Sequence, residues 1–595
     1  MKSSMSNNKI PVATIFFEAS LLRFISHASY LIWTAFRIHD TIIMDIVDLL
    51  MSPLRPKGET MRHTRKPILG NRQTSLTGAG YMESTEASAW TFMKTKWRNV
   101  PRIFLGLMIA LTWSSSTFAQ IAIDGRYWKY DGRRILLLGG WNHGHNPFID
   151  HDTDNDNDSR GVSTTEQIKN AMDELVAAGG NYLRCVLDPG MAAGIQGFDF
   201  CAHSGTQYDL NTMTGPFWAR LEMFIAEAKN RNVIVQIEVW DRFDLIDGSW
   251  GSWPVSPWNP KNNINYTTAS SGLAASYSSF GGHPFIQGVP GHPKYESASG
   301  SRKQKYDLVR SFQDKFIDKL LSITLAYNNV LYCMNNETHE DPAWGQYWMN
   351  FIEGKARAQG KSVSTTDMFD DVYKAETSRG LTYQLSNRGK YDYVDASQAN
   401  SRHADEAHWN KVKWIADAAK NTDPPYLLHM TKIYGNDIAL NSKPWSRFKP
   451  GDTNNAIEEW WRNLLVGVAG VRFHRPTSGI GLCDAAKNCI SATRKVETKV
   501  KFWDVEPRLE LLTNRQSDEA YIAADPGNAY ILYFTKNAGG SVGLKLDSYA
   551  DTTFKLHWVN IGTGKWGPAT TISGGSMVTI ARPNGSAHWV AIIVR

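Results

Sequence analysis

The stretch DLVRSFQDKFIDKLLSITLAYNNVLYCMNNE, residues 307–337, decides the fold. In it Leu308, Phe312, Phe316 and Leu320 recur every four positions, which lays them along one side of an α-helix. After Tyr327-Asn328-Asn329 that period is lost. Val330 to Met334 is an unbroken apolar run, and it ends abruptly in Asn335, Asn336 and Glu337. A strand that is apolar on both faces must be covered on both, and the preceding helix supplies one of the covers. Parallel strands in α/β sheets read this way.

Working outward, seven further runs follow the same plan: RILLLGG (134–140), NYLRCVL (181–187), VIVQIEVW (233–240), KSVSTTD (361–367), YDYVDASQ (391–398), YLLHMTK (426–432) and GVRFHR (470–475). Helix-period segments fit between them. Ser163 with Glu166 reads as a capping box ahead of the stripe Ile168, Ala171, Leu175 and Ala178. An aromatic-rich helix around Trp460 and Trp461 precedes the eighth run. Eight βα units predict a closed (β/α)8 TIM barrel over residues 120–508, entered through the hairpin IAIDGRYWKYDGRR (121–134). Beyond about residue 510 the helical stripes stop, and turn signals such as DPGN, NAGG and GTGKWG separate alternating runs. Residues 509–595 therefore predict a small antiparallel β-sandwich. The third unit carries a long insertion, residues 241–300, rich in Gly, Ser, Pro, Asn and Trp. Loops of that length inside a compact domain usually serve binding.

The other end of the chain is organised differently. From Met93, basic residues Lys94, Lys96, Arg98 and Arg102 precede an apolar run from Ile103 to Leu111 and the small-residue site Thr117-Phe118-Ala119. This is the layout of a signal peptide over 93–119, with a mature chain from Gln120 that is secreted or periplasmic. The run is too short for the roughly 20 apolar residues of a spanning helix, so no membrane attachment is expected after cleavage. Residues 1–92 show no domain pattern and read as a non-native or disordered extension. Residues 1–119 hold 14 basic and 7 acidic residues, leaving 50 basic and 51 acidic in the remainder. The basic balance of the whole chain thus gives no reason to expect a nucleic-acid partner. All five cysteines follow residue 120, where export permits disulfides, and Cys483 with Cys489 is the expected pair. Cys185 and Cys333, in apolar runs, are expected simply to pack, and no spacing suggests zinc.

In a barrel of this kind the C-terminal ends of the strands line the site, so the last residues of each run carry the chemistry. Those ends are Trp141, Asn142 and His143; Arg184 and Asp188; Glu238, Trp240 and Asp241; Asn336 and Glu337; Asp395 and Gln398; His429 and Lys432; His474 and Arg475. Carboxylates beside indole rings suit sugars. The rings stack on the apolar faces of pyranosides, one protonated acid donates to a glycosidic oxygen, and a second carboxylate stabilises an oxocarbenium-like centre. Trp250, Trp253 and Trp258 of the insertion are either sugar platforms or anchors of the loop. No phosphate-binding glycine loop or serine elbow competes with this reading.

With Asn336-Glu337 closing the fourth strand, the barrel resembles the clan of (β/α)8 glycoside hydrolases whose acid/base is a Glu preceded by Asn at that place. The opening GRYWKYDGRRILLLGGWNH looks like its apiosidase-like members. AYIAADPGNAYILYFTKNAGG with FKLHWVNIGTGKW resembles the β-domain named collagen-binding in such proteins. The resemblance spans nearly all of 121–595 and implies Glu337 as acid/base. The clan places a nucleophilic Glu at the end of strand seven, where this chain has His429-Met430-Thr431-Lys432. The second carboxylate then falls to Glu238 or Asp395, or to Asp367 on strand five, or else the chemistry is not retaining hydrolysis.

The reading is a glycoside hydrolase acting on a poly- or oligosaccharide, with Glu337, Glu238 and Asp395 as catalytic candidates. Trp141, Asn142, His143, Arg184, Trp240, Asp241, Asn336, His429, Lys432, His474 and Arg475 are expected to contact substrate. One alternative is a lyase acting on a uronate, with Lys432 or His429 as base and Arg475 or Arg184 neutralising the carboxylate. Another is a non-catalytic carbohydrate- or matrix-binding protein. No cofactor is expected. Asp152, Asp154 and Asp156 alternate as calcium ligands would, but the loop lacks the glycine and the closing Glu of an EF-hand, and a solvated loop is the simpler reading. Oligomeric state is left open.

Overall fold

The computed structural model of the chain describes residues 120–140, 148–150, 161–187, 199–247, 252–277, 284–338, 341–401, 403–433, 453–474, 481–536, 539–583 and 587–595. The proposed leader (93–119) and the preceding extension (1–92) lie outside them. Among the described residues no helix is long and apolar enough to cross a membrane.

Eight parallel strands form the central sheet: β1 (Leu137–Gly139), β2 (Tyr182–Val186), β3 (Ile234–Asp241), β4 (Val330–Asn336), β5 (Thr365–Thr366), β6 (Tyr393–Asp395), β7 (Leu427–Ile433) and β8 (Gly470–Phe473). Their order, β5-β4-β3-β2-β1-β8-β7-β6, is that of a barrel cut between the fifth and sixth strands. The cut is closed by the Asp392 N–H donating to the Thr365 carbonyl at 3.0 Å. Every residue of all eight strands is buried, as expected where helices cover one face and barrel-filling side chains the other.

A principal helix follows each strand, with shorter helical turns beside some of them: α1 (Thr165–Ala177), α2 (Phe217–Asn230), α3 (Gly300–Thr324), α4 (Ala343–Ala358), α5 (Arg379–Ser386), α6 (Asp405–Lys420), α7 (Thr453–Leu465) and α8 (Asp484–Glu497). The capping box of α1 stands one residue later than the sequence pattern suggested. Thr164 accepts from the Gln167 N–H, and Gln167 reaches back to the Thr164 N–H. Its stripe of Ile168, Ala171 and Leu175 is buried as expected, and so is Met172. In α3 the seam is Phe312, Phe316 and Leu320, flanked by Val309 and Ile317.

The foot of the barrel is plugged. The opening hairpin, three short strands at Ala122–Asp124, Tyr127–Tyr130 and Arg133–Ile135, buries Trp128 completely. That indole meets Tyr393 and His429 edge-on, at centroid distances of 5.0 and 5.8 Å.

The C-terminal strands form two antiparallel sheets. These strands are β9 (Glu506–Pro507), β10 (Leu512–Thr513), β11 (Ala520–Asp525), β12 (Ala529–Phe534), β13 (Ser541–Lys545), β14 (Thr553–Asn560), β15 (Lys565–Ser573), β16 (Met577–Ala581) and β17 (Trp589–Val594). The larger sheet runs β9-β11-β12-β17-β14-β15 and the smaller β10-β13-β16. Alternate residues of the larger sheet serve different cores. Ile522, Leu532, Phe534 and Ile593 face the smaller sheet, whereas Tyr521, Ile531, Tyr533 and Ile592 join the core continuous with the barrel. There Trp461 of α7 stacks on Tyr533, with centroids 5.8 Å apart, and Trp409 of α6 meets Tyr521 at 4.7 Å.

None of the five cysteines is in a disulfide. The expected Cys483–Cys489 bridge is absent because Cys483 caps α8 and Cys489 lies inside it. Six residues of helix span about 9 Å, and a disulfide requires Cα atoms within about 7 Å.

Candidate active site

The third and fourth strands deliver the key side chains through a slip in their alternation. On β3, Gln236 bonds Asp395 and Glu238 bonds Arg184, so both point into the barrel. Trp240 should follow on the same side. Instead it lies outside, among Phe316 of α3, Trp344 and Trp348 of α4, and Trp258 and Phe285 of the long insertion. Asp241 thereby turns inward and accepts from Asn336 Nδ2 at 3.0 Å. Strand β4 does likewise. Asn335 turns out to bond Asp367 and the Trp344 indole, while Asn336 turns in.

The inward groups make one charged cluster. Arg184 meets Glu238 through two bonds, Nε to Oε1 and Nη2 to Oε2, each 2.5 Å, and both side chains are wholly buried. Arg184 Nη2 also donates to Asn336 Oδ1 at 2.8 Å. Lys432 of β7 donates from Nζ to the same Asn336 oxygen and to Glu337 Oε1, both at 2.6 Å. The other Glu337 oxygen lies 3.5 Å from Arg242 Nη2, and Arg242 Nη1 lies 3.4 Å from Asp370 Oδ2. Glu337 is 16% exposed along its side chain and Asp370 28%, whereas Glu238 is at 0%. The two outer carboxylates therefore reach solvent, and the inner one does not.

Burial and charge act against each other in this cluster. Burial disfavours the Arg184 cation, yet Glu238, Asp241 and Glu337 outweigh it and hold that guanidinium above its ordinary range. Burial likewise pushes the Lys432 ammonium below its usual range, against the pull of Glu337 and with the push of Arg184. Glu337 itself has φ of 62°, a left-handed backbone that a side-chain-bearing residue adopts at a cost of about 1–3 kcal/mol. It follows β4 directly, and the Thr338 N–H bonds the Met368 carbonyl at 2.8 Å. The turn thus lifts Glu337 clear of the ladder and anchors the chain immediately after it.

Of the residues read from the sequence, the structure brings together Glu337, Glu238, Arg184, Asp241, Asn336 and Lys432. Asp395 lies deeper and is spent on hydrogen bonds from Gln236 Nε2, the Ser397 N–H, Ser397 Oγ and Thr431 Oγ1. His429 sits near the foot, wrapped by Trp128, Tyr182 and Tyr393, with burial lowering its pKa to about 3. Asp367 points out of the barrel, toward α4. A Cβ on Gly345 would stand 2.2 Å from Asp367 Oδ2. Burial raises the pKa of Asp367 to about 7, despite bonds from Asn335 and the Met368 N–H. His474 is buried just past β8, and its N–H bonds the Ile433 carbonyl. Trp253 and Trp258 are fully buried, so they anchor the insertion rather than present open platforms. Trp141, Asn142, His143, Asp188, Trp250 and Arg475, and the acidic loop with Asp152, Asp154 and Asp156, lie outside the described residues.

Arg242 and Asp370 were missed in the sequence because both stand just beyond a strand. The signal was there: Arg242 directly follows the β3 end residue Asp241, and Asp370-Asp371 follows the fifth run within three residues. Among the described residues, the acidic oxygens close enough to share a cation belong to Asp405, Glu458 and Asp518. Arg462 already pairs with two of these, at 2.8 Å from Glu458 and 2.6 Å from Asp518, beside the sandwich.

No protein-family model matches the chain, and no curated protein does. Solved structures do. A glycoside hydrolase family 5 protein from Bacteroides vulgatus superposes with a TM-score of 0.51 at 11% identity, covering 80% of this chain and 93% of its own. A second structure, described as a glycoside hydrolase, gives 0.50 at 10% identity, over 80% and 97%. At such identities the likeness is one of fold: a (β/α)8 barrel with C-terminal antiparallel sheets.

Proposed function

We propose that the protein is a glycoside hydrolase and that Glu337 is the carboxylate that meets the glycosidic oxygen. The observation that carries this is the place of Glu337. It ends the fourth strand on a strained backbone, partly open to solvent, and is held from two sides by Lys432 and Arg242. Strain of this kind is kept where the surroundings over-determine it, as at sites that do chemistry.

Glu337 gives its proton to the leaving oxygen as the glycosidic bond breaks. Lys432 shares that proton with it beforehand: burial weakens the hold of that amine on its proton, and Nζ already donates to Glu337. The second carboxylate is Asp370, one guanidinium away across Arg242. It either attacks the anomeric carbon, and Glu337, now deprotonated, takes a proton from the water that then frees the sugar from Asp370, or it takes the proton of a water that attacks the anomeric carbon directly. Separations of about 5–5.5 Å belong to the first course and about 6.5–9.5 Å to the second. Glu238 is a positioning residue, fixing Arg184 so that Asn336 and Lys432 are in turn fixed. The eliminative alternative loses two of its parts, because Arg184 is committed to Glu238 and His429 lies near the foot of the barrel.

The test is turnover on a panel of polysaccharides and activated glycosides. Glu337→Gln should lower turnover by at least about a hundredfold, the usual share of general acid–base catalysis, while sugar binding persists. Asp370→Asn should do the same. Undiminished turnover in Glu337→Gln removes the proposal.

A further inference from the structure

The long insertion after β3 encloses, together with α3, a cavity of about 400 Å³ outside the barrel wall. Its size falls within the roughly 300–1,000 Å³ of ligand pockets. One wall is a single stripe of α3, Arg302, Tyr306, Val309 and Gln313, spaced four, three and four residues apart. The facing wall comes from the insertion, with Tyr277 and Phe285 among its residues. Phe285 also packs against Trp240, Trp253 and Trp344, and among the described residues the lining shares none with the mouth that holds Glu337.

Three features describe an occupant. Gln313 is 2% exposed and its Nε2 has no hydrogen-bond partner, an unmet donor of a kind that folded proteins rarely leave. Tyr306, Tyr277 and Phe285 bring aromatic rings to the lining. Lys294 and Arg302, both exposed, bring two positive charges to a cavity whose lining, among the described residues, contains no Asp or Glu. Arg302 is steadied over the Tyr306 ring, 4.8 Å from its centroid. Ring faces suit the C–H faces of a pyranose, an amide suits its hydroxyls, and the cations suit an attached carboxylate. A metal cation or a purely apolar ligand would waste the charges.

We infer that this cavity is a second carbohydrate site, one that takes a single acidic sugar unit of the hexuronate kind and is separate from the mouth carrying Glu337. A free hexuronate and the uronate end of a glycan chain share that chemistry. Gln313 bonds ring hydroxyls, the ring lies against Tyr306, and Lys294 with Arg302 holds the carboxylate at the rim.

The experiment is calorimetric titration of the purified protein with glucuronate, with a glucuronate-ended oligosaccharide, with methyl glucoside and with sulfate. Saturable binding of either uronate ligand, well above that of the glucoside or sulfate, is expected, and a preference between the two identifies the source. The double variant Lys294→Ala/Arg302→Ala changes only exposed side chains and should weaken uronate binding by about tenfold or more. Gln313→Leu should weaken uronate binding comparably. No saturable uronate binding at concentrations on the order of 10 mM, or equal affinity in the double variant, overturns the inference. Because the readout is binding, its failure leaves the role of Glu337 untouched, and loss of hydrolysis would leave this site standing.

Discussion

Lys432 occupies the place where the resembling clan carries a nucleophilic carboxylate, and its contacts give it a different use. A buried ammonium bonded to a partly exposed carboxylate can keep one proton between the two groups. In the proposed reaction the protonated pair is the acid, and it is lost as pH rises through the depressed pKa of Lys432. In Lys432→Met that limit passes to Glu337 alone, so the alkaline limb of kcat/KM should move to lower pH. An unmoved limb would show that Lys432 shares no proton with Glu337. Single residues were also where sequence reading reached least far. Asp395 and His429 belong to the correct runs, but a run of apolar letters does not say which of its polar residues stands at the mouth and which at the foot. Arg184 reads as a substrate contact in the sequence, whereas the structure commits it to Glu238, and Arg242 escaped because its role depends on a turn.

At the scale of elements, the alternation slip in β3 and β4 decides what each strand offers. Period-two reading puts Glu238 and Trp240 on one side. The structure spends the indole on the helix layer and gives Asp241 to the interior, and no composition rule announces that change. The seam between β5 and α4 shows a related trade, with Gly345 making room for the Asp367 carboxyl. Burial raises the pKa of Asp367 to about 7, above its unfolded value, so its contribution is fully present at acid pH and is lost as pH rises through about 7. Asp367→Asn removes that titration. Its melting temperature relative to the parent should therefore improve between pH 5 and pH 8, as followed by thermal denaturation at both ends. A pH-independent difference would contradict a neutral Asp367 in the folded protein.

For the whole molecule, the eight runs were legible because helical stripes separate them and none of the eight barrel strands is amphipathic. The sandwich was legible from its turns, but the second covered face of β11, β12 and β17 in its larger sheet was not, since strands buried on both sides give no polar face to read. That sheet turns Tyr521, Ile531, Tyr533 and Ile592 toward the barrel, where Trp409 and Trp461 receive them. A chain ending at residue 508 would leave those indoles uncovered. We expect it to aggregate or to bind a hydrophobic dye strongly, and a well-behaved monomer would show the sandwich to be dispensable.

The plug formed by Trp128 has a consequence for the order in which the chain can assemble. Its receivers, Tyr393 and His429, leave the ribosome long after it does. An early segment whose seat comes from the sixth and seventh strands must wait undocked, and the base of the cylinder stays open until those strands have been made.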